Sequence, residues 1–122
     1  MKKITSFSIL IFLVGLVPHV AFAGEYVWGV KTANHDLALK SAFALAESRV
    51  ASRGKGCVGR GRKDATTENL VMQEDGDKVQ FGVFISHHDG SCGKKGNIIK
   101  DMARETGIDA NKIISAWVSG GQ

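Results

Sequence analysis

The stretch Asp77–Gly93, DKVQFGVFISHHDGSCG, decides the fold because it combines a clear strand pattern with a polar turn and a cysteine. Apolar residues occupy every second position in its first half. They are Val79, Phe81, Val83 and Ile85. A period of two with β-branched and aromatic residues is typical of a half-buried strand. The pattern therefore predicts a central strand over 79–85 with one face in the core.

A second strand pattern lies just upstream, at Asn69–Gln73. The intervening segment Glu74–Asp77 contains the dipeptide Asp75-Gly76, and glycine supplies the positive φ that a tight hairpin turn needs. These features predict an antiparallel hairpin made of the two strands.

Residues 1–23 have the pattern of a secretory signal. Lys2 and Lys3 precede an apolar run over 4–17, and Ala21-Phe22-Ala23 forms a small-x-small cleavage site. We expect this segment to be removed, leaving residues 24–122 as one α+β domain in the periplasm or outside the cell. The alternative is a retained anchor helix. The apolar run is short for that purpose, so we expect no membrane span after signal removal.

The first strand of the mature chain is predicted over residues 25–32, EYVWGVKT. A helix is predicted over 37–53, where apolar residues recur at helical spacing. Asn34 or Asp36 is the expected N-cap and Gly54 the expected C-cap.

A second helix is predicted over 98–106 and is expected to end at Gly107. The last segment, 112–118, reads KIISAWV and fits either a helix or a strand. Ile113 and Trp117 have helical spacing, whereas the adjacent bulky pairs and the short length favour a strand. We predict a strand.

The predicted order is β-α-β-β-α-β, a ferredoxin-like arrangement with a four-stranded antiparallel sheet and two helices on one face. A weak internal repeat supports this order, because residues 26–36 align without gaps on residues 79–89. The identical pairs are Gly29/Gly82, Val30/Val83, His35/His88 and Asp36/Asp89. The match falls where a β-α-β duplication would place a strand and the entry to a helix.

Cys57 and Cys92 are the two cysteines of the chain. In an exported protein they are expected to form a disulfide, worth about 3–4 kcal/mol for a loop of this length. The predicted topology allows the bond, because the first helix and the third strand both end on the same side of the domain.

The same topology brings two basic loops together at the disulfide. One is the glycine-rich segment 54–64, predicted to lack regular structure, and the other is the turn-rich segment 87–96. The candidate binding residues are Lys55, Arg60, Arg62, Lys63, His87, His88, Lys94 and Lys95. They predict an acidic protein or an anionic envelope polymer as partner. The alternative is a flexible, solvated loop held at Cys57.

Charge and motifs argue against other classes of function. Without Lys2 and Lys3, fourteen basic residues face twelve acidic ones, so we expect no nucleic-acid partner. No G-x-S-x-G elbow surrounds Ser86 or Ser91, so we predict no catalytic residue there. His87-His88-Asp89 beside Cys92 resembles a ligand set. However, adjacent residues rarely converge on one ion, so we predict neither a metal nor a cofactor.

The sequence thus predicts a small, exported, non-enzymatic binding or inhibitor module that is a monomer or a weak dimer. Two alternatives stay open. One is a small hydrolase or metal-dependent enzyme that uses His87, His88 and Asp89. The other is a structural subunit of an envelope assembly that uses an edge of the sheet.

Overall fold

The computed structural model describes residues 24–59, 67–87 and 90–120, which form an α+β fold. The strands are β1 (Gly24–Trp28), β2 (Cys57–Val58), β3 (Leu70–Asp75) and β4 (Lys78–Ser86). The helices are α1 (His35–Arg53), α2 (Lys95–Thr106) and α3 (Ala110–Gly120). Within these described ranges, no helix has the length and apolar character needed to cross a membrane.

The central strand is β4, and all three other strands pair with it in antiparallel fashion. β1 runs along one edge, while β3 and β2 follow one another along the other. The change of partner falls at Phe84, whose N–H donates to Asn69 O at 2.9 Å and whose carbonyl accepts from Gly59 N–H at 2.7 Å. The four strands therefore make a sheet that is three strands wide.

The predicted hairpin is confirmed, with a shorter turn than expected. Asp75 pairs with Lys78, so the turn consists of Gly76 and Asp77 alone. Gly76 has φ of 65°, a left-handed conformation that glycine adopts without a steric penalty. Strand β3 accordingly extends through Glu74 and Asp75, two residues beyond the predicted end.

The core lies between one face of β4 and the helices, as the alternating pattern predicts. Each apolar residue of that pattern is at most 1% exposed. The helices contribute Ala38, Leu39, Ala42, Phe43, Ala46, Ile98, Ile99, Met102, Ile113 and Trp117. The chain leaving β1 approaches α1 very closely, since a Cβ at Gly29 would lie 2.6 Å from Ala42 N. Only glycine permits this contact.

The ends of α1 confirm the predicted caps. Asn34 Oδ1 accepts the backbone N–H of Leu37 at 3.0 Å, and Gly54 takes a left-handed conformation with φ of 75°. Gly107 ends α2 in the same way, with φ of 76°. The start of α2 differs from the prediction, because the helix begins at Lys95, three residues early, without a side-chain cap.

The predicted last strand is wrong, because residues 112–118 belong to helix α3. Ile113, Ala116 and Trp117 follow helical spacing and are 0%, 8% and 4% exposed. Ile114 and Val118 fall between them in that period and are 42% and 49% exposed. The buried stripe packs on α1 and α2, and this burial outweighs the strand propensity of the β-branched residues.

With three helices and no last strand, the ferredoxin-like arrangement is not confirmed. The fourth strand is β2, inside the glycine-rich segment that was predicted to lack regular structure. That prediction is wrong for Cys57 and Val58, because β4 runs past the end of β3 and offers them a free edge. The repeat also predicted a helix entry at His88–Asp89, which lie outside the described residues, and α2 begins at Lys95.

Candidate functional site

The predicted disulfide between Cys57 and Cys92 is confirmed, with a Cα–Cα separation of 5.6 Å. Cys57 is 2% exposed at the start of β2, whereas Cys92 is exposed on the loop before α2. The bond ties the segment after α1 to the segment after β4. We call this side of the molecule the disulfide end.

Three of the predicted cations lie on the two segments that the bond joins. Lys55 stands two residues before Cys57, and Lys94 and Lys95 follow Cys92 closely; all three are exposed. We call them the three lysines. The other predicted residues Arg60, Arg62, Lys63 and His88 lie outside the described residues, so their place at the disulfide end stays a prediction.

His87 lies in a separate charged cluster at the disulfide end. Its Nε2 is 3.2 Å from Glu25 Oε2, and Arg53 Nη1 is 3.2 Å from its Nδ1. Glu25 also contacts Arg53 Nη2 at 2.9 Å and Arg49 Nη1 at 3.2 Å. The cluster links the start of β1, the end of α1 and the end of β4. It also surrounds the carboxylate of Glu25 with positive charge.

A groove of about 250 Å³ opens beside the disulfide, between α1, β2, α2 and α3. Its apolar walls include Val50, Val58 and Ile98, and its polar lining includes Glu47 and Lys95. The disulfide itself closes one side. The groove therefore combines an apolar interior with one of the three lysines.

Trp117 organises the charged lining of this groove. Its indole Nε1–H donates to Glu47 Oε2 at 2.7 Å, and Lys95 Nζ lies 4.4 Å from the ring centroid. The ring stacks on Phe43 with centroids 5.1 Å apart. One buried aromatic side chain thus holds a carboxylate and an ammonium group at the same groove.

Sequence reasoning missed both Glu47 and Trp117 as site residues. Glu47 follows Phe43 by four positions and so shares the buried side of α1, which is the signal that could have identified it. Trp117 could be placed only by reading 112–118 as a helix.

The first turn of α2 adds positive potential to the disulfide end. Lys94 O accepts from the N–H groups of Asn97 and Ile98 at 3.0 and 3.1 Å. No side chain caps this helix, and its first turn has no acidic residue. The positive end of the helix dipole is therefore not offset by a carboxylate on the helix itself.

The residues of the enzymatic alternative do not come together in the part of the chain that the structure describes. There, no three His, Cys, Asp or Glu side chains are close enough to hold a metal ion. The Ser86 hydroxyl donates to Cys57 O at 3.5 Å. His88 and Asp89 lie outside the described residues.

Comparison of the chain with protein-family models, curated proteins and solved structures finds no match.

Proposed function

We propose that this protein is a small, exported, non-enzymatic binding or inhibitor module that captures an anionic partner through the disulfide end. The observation that carries the proposal is the Cys57–Cys92 bond, which joins the segment of Lys55 to the segment of Lys94 and Lys95. A disulfide is also typical of a protein that works in an oxidising compartment.

The acids nearest to this surface are already engaged. Glu25 lies among Arg49, Arg53 and His87, and Glu47 accepts the indole N–H of Trp117. The positive field of the three lysines is thus little reduced by neighbouring carboxylates. Clustered, exposed cations accelerate the capture of an anionic partner and make it sensitive to salt.

Capture from envelope extract tests the proposal. The variant Lys55→Ala/Lys94→Ala/Lys95→Ala should retain less partner than the unmodified protein and show a flatter dependence on salt. A matched control, Lys78→Ala/Lys100→Ala/Lys112→Ala, removes the same charge from exposed lysines outside the disulfide end. Both variants should stay within about 0.5 kcal/mol of the unmodified protein in stability, since surface substitutions rarely change it by more.

A second variant tests the predicted residues that lie outside the described part of the chain. Arg60→Ala/Arg62→Ala/Lys63→Ala should weaken capture in the same salt-dependent way. If neither charge-removal variant differs from the control, the binding surface lies elsewhere. Self-association in gel filtration would instead favour the structural-subunit alternative.

A further inference from the structure

We propose that the groove beside the disulfide receives one apolar side chain of an acidic protein segment, so that the partner is a polypeptide. This inference rests on the proposed function and adds the chemistry of the partner to it. The segment would carry carboxylates on both sides of the apolar residue.

The size of the groove favours a single side chain. Its volume of about 250 Å³ lies below the range of about 300–1,000 Å³ that is usual for small-molecule sites. Apolar walls from Val50, Val58 and Ile98 would contact such a side chain and exclude water from it. A hydrated polymer without apolar groups would leave this interior unused.

The lining of the groove also suits a peptide backbone. Glu47 uses Oε2 to accept from Trp117, while Oε1 has no hydrogen bond with the residues that the structure describes. A peptide presents a backbone N–H beside each side chain, so the group that fills the groove brings a donor for Oε1 with it. An acyl chain or a phosphate chain brings no such donor.

Charge complementarity determines the flanking residues of the occupant. Lys95 Nζ is held over Trp117 at the groove, Lys94 precedes it, and Lys55 adjoins Gly56 of the lining. Carboxylates on either side of a bound apolar side chain would meet these ammonium groups. Flanking lysines or arginines would meet like charge, which disfavours basic segments.

Selection from a phage-displayed random peptide library against the exported protein tests the proposal. Enriched peptides should be acidic and share one apolar position. In synthetic versions of those peptides, replacing the apolar residue with serine should weaken binding about tenfold or more, because one buried apolar side chain is lost.

A pair of variants places the binding in the groove. Val50→Phe adds volume from a half-buried wall position, and Leu45→Phe makes a larger, apolar addition on the same helix at a residue that is 45% exposed. The enriched peptides should lose affinity for the first variant and keep it for the second. Thermal unfolding of both variants checks that each one is folded.

A fluorescence titration reports occupancy directly. The chain contains two tryptophans, so Trp28→Phe leaves Trp117 as the single reporter, at the groove. Its emission should change with the enriched peptide and saturate. With the serine-substituted peptide, the midpoint should move to higher concentration.

The possible failures are distinguishable. Acidic peptides that show no apolar preference and bind Val50→Phe unchanged would overturn the groove inference and leave the proposed function standing. Enrichment of no acidic peptide, with polyphosphate or lipopolysaccharide bound through the three lysines, would overturn the polypeptide partner alone. Absence of binding to any of these probes would overturn both proposals.

Discussion

The indole N–H of Trp117 donates to the carboxylate of Glu47 at 2.7 Å, across 70 residues of sequence. The bond joins α3 to α1 at the groove, next to the ammonium group of Lys95. Because the indole is 4% exposed, its donor is largely removed from water and needs this acceptor. A contact within the helical layer thus sets the charged lining of the candidate site.

Removing either partner of this bond should destabilise the protein. Trp117→Phe retains an aromatic ring against Phe43 but loses the donor, and Glu47→Ala loses the acceptor. Each should cost about 1–2 kcal/mol, a magnitude expected for a hydrogen bond to a charged group that is partly exposed.

Because the two variants remove one shared interaction, the double variant should cost less than the sum of the single ones by about 1 kcal/mol. Chemical unfolding of the four proteins measures this coupling. Strictly additive effects would show that the contact contributes nothing to stability.

Loss of the disulfide should lower stability strongly. Cys57→Ala/Cys92→Ala releases a crosslink between residues 35 apart in sequence and should cost about 3–4 kcal/mol. Melting temperature should then fall by more than about 10 °C for a chain of this size. Thiol labelling of denatured, unreduced protein should detect no free cysteine, and two labelled thiols would contradict the crosslink.

Two adjacent isoleucines distinguish the observed helix α3 from a peripheral segment. Ile113 is 0% exposed, so Ile113→Ala should cost about 2–5 kcal/mol through the lost burial and the cavity left behind. Ile114 is 42% exposed, and Ile114→Ala is the matched control, expected to cost less than about 1 kcal/mol. Equal costs in urea unfolding would argue against the helical packing of this segment.

The outer face of the sheet offers a prediction of changed sign. A Cβ at Gly82 would lie 3.0 Å from three ring atoms of Trp28. That ring also neighbours Tyr26, whose hydroxyl donates to Glu68 O at 2.7 Å. Gly82→Ala should therefore cost about 1 kcal/mol by crowding the indole.

In a Trp28→Leu background the crowding is relieved. There Gly82→Ala should have no cost or should stabilise slightly, because alanine reduces the conformational entropy of the unfolded chain. Thermal unfolding of the four proteins measures the difference. The same cost in both backgrounds would show that Trp28 is not the obstacle.

Features that depend on near neighbours could be predicted from the sequence alone. The β3–β4 hairpin follows from alternation and a glycine turn, and the limits of α1 follow from Asn34 and Gly54. The alternating pattern of β4 also identified the core face. Each of these depends on side-chain period or backbone freedom within a few residues.

Features that depend on distant partners required the folded structure. The segment 112–118 satisfies two periods at once, and only the apolar surface of α1 and α2 selects the helix. Cys57 and Val58 become a strand because β4 extends beyond β3 and leaves backbone groups to pair.

The candidate site shows the same division. Its cations and its crosslink were predicted from composition and from the presence of two cysteines in an exported chain. The groove, and the pairing of Glu47 with Trp117, arose only when α3 packed on α1. Local propensity is encoded in adjacent residues, whereas a choice between near-equal local conformations is made by burial against surfaces that only the folded chain provides.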